Sequence, residues 1–509
     1  MTNHKNSSII RSVILVSFIT ILSKLLGFAR ETIIAAFYGA TSETDVFFFA
    51  QEFPKMIFPT IGDSVALTFT TLYVAKLVKE DKETADRYGS GLINTMVLIA
   101  LVMSVAGLII SPFIIPFFAP GFSEEQIDLA IVLSRISLST FVMTVIQYML
   151  GAVLNAKKLF GKVSLGGIVY NCTIIIITLI LGKNQDVHML MWTIVVGMAV
   201  QTVVVILFCV KKFRYYLMAR PFTSDAKKMF RLAIPIIIGN SVTQINGIVD
   251  KALGSTLQEG SISALSYSNS LRSIVMSVCV FSLSTVIFPS LSEKVAKNSH
   301  KEMNDMLLNS MKCISIILLP IICVIFFASY DIVAIVFGRG NFDDIAISMT
   351  AIVLRCYVFG LLFSGLSEVL TRGYFALQNT KTPAINSAIG VVFNVVFSIT
   401  FVRWLGIAGI AIGTTISTII STFLLIFNMK KTFVGFKLKP ILVFFIKLFV
   451  EGATTCAVLC LFTHYVVIES QLINAIVITL VGLLFYTAIV FVVDKETVML
   501  LLNKMIKNQ

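Results

Sequence analysis

The sequence predicts an all-α polytopic membrane protein. About fourteen transmembrane helices are expected, as two parallel six-helix repeats followed by two C-terminal helices. Three observations predict this. The 509 residues are 57% hydrophobic and only 13% charged, with a mean hydropathy of +0.93, whereas a soluble domain carries about 25% charged residues. Apolar runs of membrane-spanning length recur along the whole chain. Four sequence segments also recur at an offset near 220 residues.

The expected spans are 9–37, 46–75, 91–118, 129–154, 163–182, 188–210, 231–256, 263–292, 310–337, 346–371, 384–402, 405–428, 440–466 and 472–493. The first is followed by further spans and lacks a small-residue cleavage site, so it reads as a retained helix. Long spans are expected to tilt or kink, the second at Pro54 and Pro59. The eight cysteines all lie in apolar runs without metal-ligand spacing to the four histidines, and read as small buried side chains.

Lysine and arginine orient the chain. The even-numbered connections, with Arg231 and Lys312 at the adjoining span ends, hold twenty-four of them, whereas the odd-numbered ones hold only Lys183, Arg339 and Arg403. Positive residues stay inside, which places the even connections and both termini in the cytoplasm. The net charge of +13 is therefore accounted for by a cytoplasmic membrane surface and calls for no nucleic acid.

Eight cations remain at membrane depth: Lys24, Arg30, Lys55, Arg135, Lys251, Arg272, Arg355 and Lys447. Six acids are weighed with them: Glu31, Glu52, Asp63, Asp250, Glu368 and Glu451. At roughly 3 kcal/mol each, lipid exposure of all fourteen would cost on the order of 40 kcal/mol. Most must face each other or water. Arg135 and Arg355 are placed to snorkel.

The charges concentrate in spans 1, 2, 7 and 8. Lys24 and Glu31 share a face of the first, with Gly27 between them; Glu52, Lys55, Pro59 and Asp63 form a stripe on the second. Asp250 and Lys251 lie in the seventh, and Asn269 and Arg272 share a face of the eighth. Salt bridges that only pin helices would explain some of these. Clustering in corresponding parts of two halves favours a polar cavity.

The halves are an internal repeat. "LSKLLGFARETI" aligns with "VTQINGIVDKAL", "YGATSETDVF" with "QEGSISALSY", "FFAPGF" with "FGRGNF", and "VLNAKKLFGKVSLGGIVYN" with "ALQNTKTPAINSAIGVVFN". The last pair places Asn171 on Asn394. Six spans separate the copies, an even number, so both insert in the same direction, as in parallel-repeat transporters. The division is 1–210 for the first lobe, 211–230 for a basic cytoplasmic connection, 231–428 for the second lobe, and 429–509 for the last two helices and tail. The basic connection is suited to the inner membrane surface.

"SKLLGFARETIIAAFYGATSETDVFFFAQEFPKMIF" resembles the opening of the MurJ (MviN) lipid II flippases, a family of the multidrug/oligosaccharidyl-lipid/polysaccharide exporter superfamily. "APGF", "GAVLNAKKLFGKVS", "IFPSLS" and "YFALQNTKTP" continue the likeness over most of the chain. The resemblance implies two six-helix lobes plus two further helices in a bacterial plasma membrane. It implies flipping of an undecaprenyl-pyrophosphate-linked disaccharide-pentapeptide to the outer leaflet for cell-wall synthesis. With no soluble catalytic domain, metal-spaced histidines or phosphate-cradling glycine loop in the sequence, a transporter rather than an enzyme is expected, with no cofactor and no metal, working as a monomer among membrane lipids.

By the same resemblance Lys24 stands where the family usually has arginine, Arg30 matches an essential arginine, Glu31 its acidic neighbour, and Asp45 a family aspartate. Substrate contact is expected from Lys24, Arg30, Glu31, Asp45, Glu52, Lys55, Asp250, Lys251 and Arg272. The family's groove for the lipid tail falls on Lys447 and Glu451, whose spacing of four allows an ion pair. Two family arginines align instead with Phe58 and Ser270, Arg272 being two residues beyond the second. The alternatives are a flippase for another lipid-linked oligosaccharide and a non-transporting cell-wall scaffold. A multidrug-cation exporter would prefer an acidic cavity. The acidic "NFDD" at 341–344 reads as a solvated outer turn rather than a metal site.

Overall fold

The computed structural model describes residues 2–182, 186–466 and 468–494. They form helices, with no strand among the described residues. In chain order these are α1 (Thr2–Tyr38), α2 (Ser42–Lys79), α3 (Lys82–Phe118), α4 (Glu124–Leu138), α5 (Thr140–Ala156), α6 (Phe160–Leu181), α7 (Val187–Val210), α8 (Ser224–Ser255), α9 (Ser261–Val275) and α10 (Ser282–Ala296). There follow α11 (His300–Phe327), α12 (Ser329–Phe337), α13 (Asp344–Ala376), α14 (Lys381–Leu405), α15 (Ile407–Thr432), α16 (Leu438–Tyr465) and α17 (Gln471–Val493). A π-helical segment, Met276–Phe281, joins α9 to α10.

Each expected span falls on one of these helices or on consecutive ones. The fourth divides into α4 and α5 because Ser139 and Thr140 turn their hydroxyls back onto the carbonyls of Ile136 and Ser137, a local bond that competes with the helical ladder. The ninth divides at Ala328 into α11 and α12. α2 remains helical through Pro54 and Pro59. Among the described residues ten helices are long and apolar enough to cross a membrane. The charge-bearing α1, α2, α8 and α9–α10 are not among the ten.

The chain forms two compact units, Met1–Ser263 and Ala264–Gln509. In the first, α1 packs along α6, and α2 packs against α4, α5 and α8. Its core is built from Phe69 and Tyr73 of α2, Leu92 and Met96 of α3, Phe141 and Met149 of α5, and Phe213 after α7. In the second, α13 packs against α11 and α15, α14 against α15, and α16 against α17 and α11. Its core joins Met311 and Leu318 of α11, Leu366 and Tyr374 of α13, Met429 of α15 and Phe444 of α16.

Backbone conformation repeats with the sequence. Gly39 and Gly260 both have left-handed φ, at 68° and 85°, as do Gly182 and Gly406, at 63° and 55°. Lys158 and Gln378 adopt φ of 60° and 58° despite their side chains. The pairs stand about 220 positions apart, the offset of the sequence repeat.

Candidate functional site

Arg30 lies on the seam between α1 and α6. The seam is close because small residues line it: a Cβ on Gly167 would come within 2.5 Å of Ser23 Oγ. Asn171 of α6 donates through Nδ2 across it to the Ser23 carbonyl at 3.2 Å and, within α6, to the Gly167 carbonyl at 2.9 Å. Its Oδ1 is thereby presented to α1 and accepts from Arg30 Nη1 at 3.2 Å. Arg30 Nη2 is paired with Glu31 Oε1, and the guanidinium lies 5.5 Å from the ring centroid of Tyr170. Glu52 of α2 is within electrostatic reach. Arg30 Nε and Glu31 Oε2 are buried and have no hydrogen-bond partner among the described residues.

This arrangement can do specific chemistry. A guanidinium stays charged when desolvated and offers its donors as a planar fork to a phosphate. Here one arm is held by a neutral amide and the other by a carboxylate. An incoming anion would displace Glu31 from Arg30, not meet a bare cation. Lys24, on the same helix, is exposed.

The other predicted residues separate into groups. Asp45 is buried and accepts from the Gly260 N–H at 2.8 Å, the Ser263 N–H at 2.7 Å and the Ser263 hydroxyl at 2.6 Å. It thus ties the first turn of α2 to the N-terminus of α9. Lys251 of α8 donates to the Phe48 carbonyl of α2 at 2.6 Å. Asp250 and Glu52 are half-buried. Arg272, in the second unit, lies 5.3 Å from the ring centroid of Tyr357. The side chains of Lys55, Phe58 and Asp63 lie outside the described residues.

Lys447 makes its ion pair with Asp494 at 2.7 Å, beyond the end of α17, and not with Glu451. Glu451 is buried one turn further along α16. A cavity of about 680 Å3, lined by Thr70, Gln147, Tyr148, Asn155 and Gln201 among others, holds none of the predicted charges. Asn171 and Tyr170 complete the Arg30 cluster and are not among the substrate residues expected from the sequence. The signal was present: the repeat sets Asn171 on Asn394, and both are buried.

Among the described residues, ten helices apolar and long enough to cross a membrane, joined to helices whose ionic groups are engaged within the fold, define the class as a polytopic membrane protein. The comparisons narrow it. A family model described as "Lipid II flippase MurJ" matches residues 34–481. The "Probable lipid II flippase MurJ" of Rickettsia prowazekii is 26% identical over 416 residues, 81% of this chain and 82% of that one. The "Lipid II flippase MurJ" of Burkholderia cenocepacia is 25% identical over 435 residues, 83% of this chain and 84% of that one. A solved "Lipid II flippase MurJ, inward closed conformation" superposes with a TM-score of 0.80 at 27% identity, covering 94% of this chain and 99% of that one. An inward-facing MATE family multidrug transporter of the MOP superfamily shares the fold, with a TM-score of 0.71 at 13% identity over 82% of this chain and 98% of that one.

The chain belongs to the MurJ lipid II flippase family. It is a multi-pass bacterial membrane protein of a transporter family.

Proposed function

We propose that the protein moves lipid II, the undecaprenyl-pyrophosphate-linked peptidoglycan precursor, from the inner to the outer leaflet of the plasma membrane by alternating access. Family membership over residues 34–481 supports the substrate. Arg30, held in the α1–α6 seam by Asn171, carries the pyrophosphate contact. The related fold occurs in solved transporters described as inward-facing and as outward-facing, which supports the alternation.

In this reading the pyrophosphate takes the Arg30 fork and frees Glu31, so the acid limits how tightly the anion is held and favours its release. Lys24, Glu52, Lys55, Asp250 and Lys251, and separately Arg272 in the second unit, are the further residues proposed to meet the substrate. Asp45 and Lys251 act by holding the outer end of α2 to α9 and α8. Lys447 and Glu451 border the tail groove. Fourteen spans, lobes at 1–210 and 231–428, cytoplasmic termini and a monomeric state complete the proposal.

The test is reconstitution of the purified protein into liposomes carrying labelled lipid II, with accessibility of the label read at the outer leaflet. Wild type moves the label and Arg30→Ala does not. Wild type that inserts correctly yet leaves the label in place sinks the lipid II reading and turns attention to another lipid-linked saccharide.

A further inference from the structure

The basic connection between α7 and α8 is not helical over residues 213–216. It is laid across α3, where Asp86, Ser90 and Asn94 recur every four residues and Thr95 extends the polar surface round the helix. The Arg214 N–H donates to Asp86 Oδ2 at 3.0 Å, the Tyr216 N–H to Ser90 Oγ at 3.0 Å, and the Phe222 N–H to Thr95 Oγ1 at 3.0 Å. Asn94 Nδ2 donates to the carbonyls of Leu217 at 3.1 Å and Ala219 at 2.9 Å. The segment is a strap with three backbone N–H groups and two carbonyls bonded to side chains of α3.

Two consequences of this pinning stand side by side. Phe213 at its start is buried in the core, but three later apolar side chains of the strap are left exposed: Leu217 at 76%, Met218 at 92% and Phe222 at 64%. Behind it a cavity of about 520 Å3 opens, with Lys76, Arg87 and Arg220 in its lining, together with Tyr88, Tyr216 and Thr223. Lys76 pairs with Glu80, the residue that follows α2, and Arg87 with Glu83, one turn away on α3. Such exposed pairs are weak. Arg220 has no ion pair among the described residues.

From this juxtaposition we infer that the strap and α3 form a binding site for an anionic phospholipid, its phosphate in the Lys76–Arg87–Arg220 cavity and its acyl chains against Leu217, Met218 and Phe222. A free phosphate would use the same cations. The exposed apolar residues at the mouth, Met218 itself lining the cavity, select the lipid. The cytoplasmic leaflet follows from the orientation proposed above, and anionic lipids attract clustered cations there. The ligand is a structural lipid, chemically distinct from the transported substrate.

The experiment uses the full chain purified in a neutral detergent and phospholipids labelled in the acyl chain. Retention of phosphatidylglycerol is compared with that of phosphatidylcholine by fluorescence polarisation. Wild type should prefer phosphatidylglycerol, and Arg87→Gln with Arg220→Gln should lose roughly fivefold in affinity per cation removed. Leu217→Ser with Met218→Ser, on the exposed side of the strap, should weaken retention while leaving the cations in place. Gel filtration and thermal unfolding establish that each variant is folded. Equal retention of the two lipids by wild type overturns the proposal, as does an unchanged preference in the folded arginine variant. Displacement by millimolar inorganic phosphate would assign the cavity to free phosphate and overturn the lipid. No transport is measured, so this outcome and that of the flipping assay are independent.

Discussion

Arg30 of α1 donates through Nη1 to Oδ1 of Asn171 on α6, at 3.2 Å. The amide is itself fixed by the two carbonyls its Nδ2 serves. Its orientation is therefore set by backbone, and it in turn aims the guanidinium.

Arg30 is expected to be the least replaceable residue. Lysine keeps the charge but loses the fork, so Arg30→Lys should rescue poorly and Arg30→Ala not at all in cells depleted of their own lipid II flippase. Asn171→Ala removes a hydrogen bond to a charged group, worth about 1.5–3 kcal/mol, and should cut transport about tenfold or more. Lys24→Arg should be tolerated. Full rescue by Arg30→Ala, at normal membrane abundance, would end the anion-binding account.

Asp45→Ala strips two backbone N–H groups at the start of α9, Gly260 and Ser263, of their acceptor. Each buried orphan costs about 1–3 kcal/mol. Thermal unfolding in detergent should show Asp45→Ala clearly destabilised and Ser263→Ala mildly so. The double variant should be no worse than Asp45→Ala, because the Ser263 hydroxyl has lost its partner already. Additive losses would mean that the two residues act independently.

Cys323 of α11 and Cys456 of α16 place their sulfurs 3.6 Å apart. Mild oxidation of the reduced protein should join them, removing two thiols from a maleimide count. Cys323→Ser and Cys456→Ser should each abolish the change. A count that stays at eight after oxidation would place α16 away from α11.

Reporter fusions test orientation. Those after Lys82, Lys158, Arg220, Lys297, Lys381 and Lys437 should report cytoplasm, and those after Glu125, Asp186 and Glu259 the outside. The loop asymmetry is the basis. A robust inversion within the first twelve spans is incompatible with parallel repeats.

Much of the fold was legible in composition and repetition, because long apolar runs and a fixed offset survive any detail of packing. The paired left-handed residues Lys158 and Gln378 repeat that offset in the backbone. The site was legible as residue types and not as partnerships. Asp45 was marked as a substrate residue, yet its acceptors' work is done on Gly260 and Ser263, more than two hundred positions away. Spacing of four made Glu451 available to Lys447, but Asp494 reaches the ammonium from the far end of the next helix. Helical periodicity ranks neighbours on one helix and is silent about those on another. The break between α4 and α5 turns on hydroxyl-to-carbonyl bonds that no hydropathy profile registers.

The π-helical segment Met276–Phe281 changes how the eighth span must be read. A wide turn accommodates one residue more than a regular one, and one residue is about 100° of helical rotation. The face that Arg272 occupies on α9 therefore does not continue at three- and four-residue steps into α10. A solvent-accessibility scan along this span, residue by residue, would trace one wave up to Met276 and a second, phase-shifted wave after Phe281. Any alignment that carries a water-facing position from one half to the other without that shift points it at the wrong neighbour.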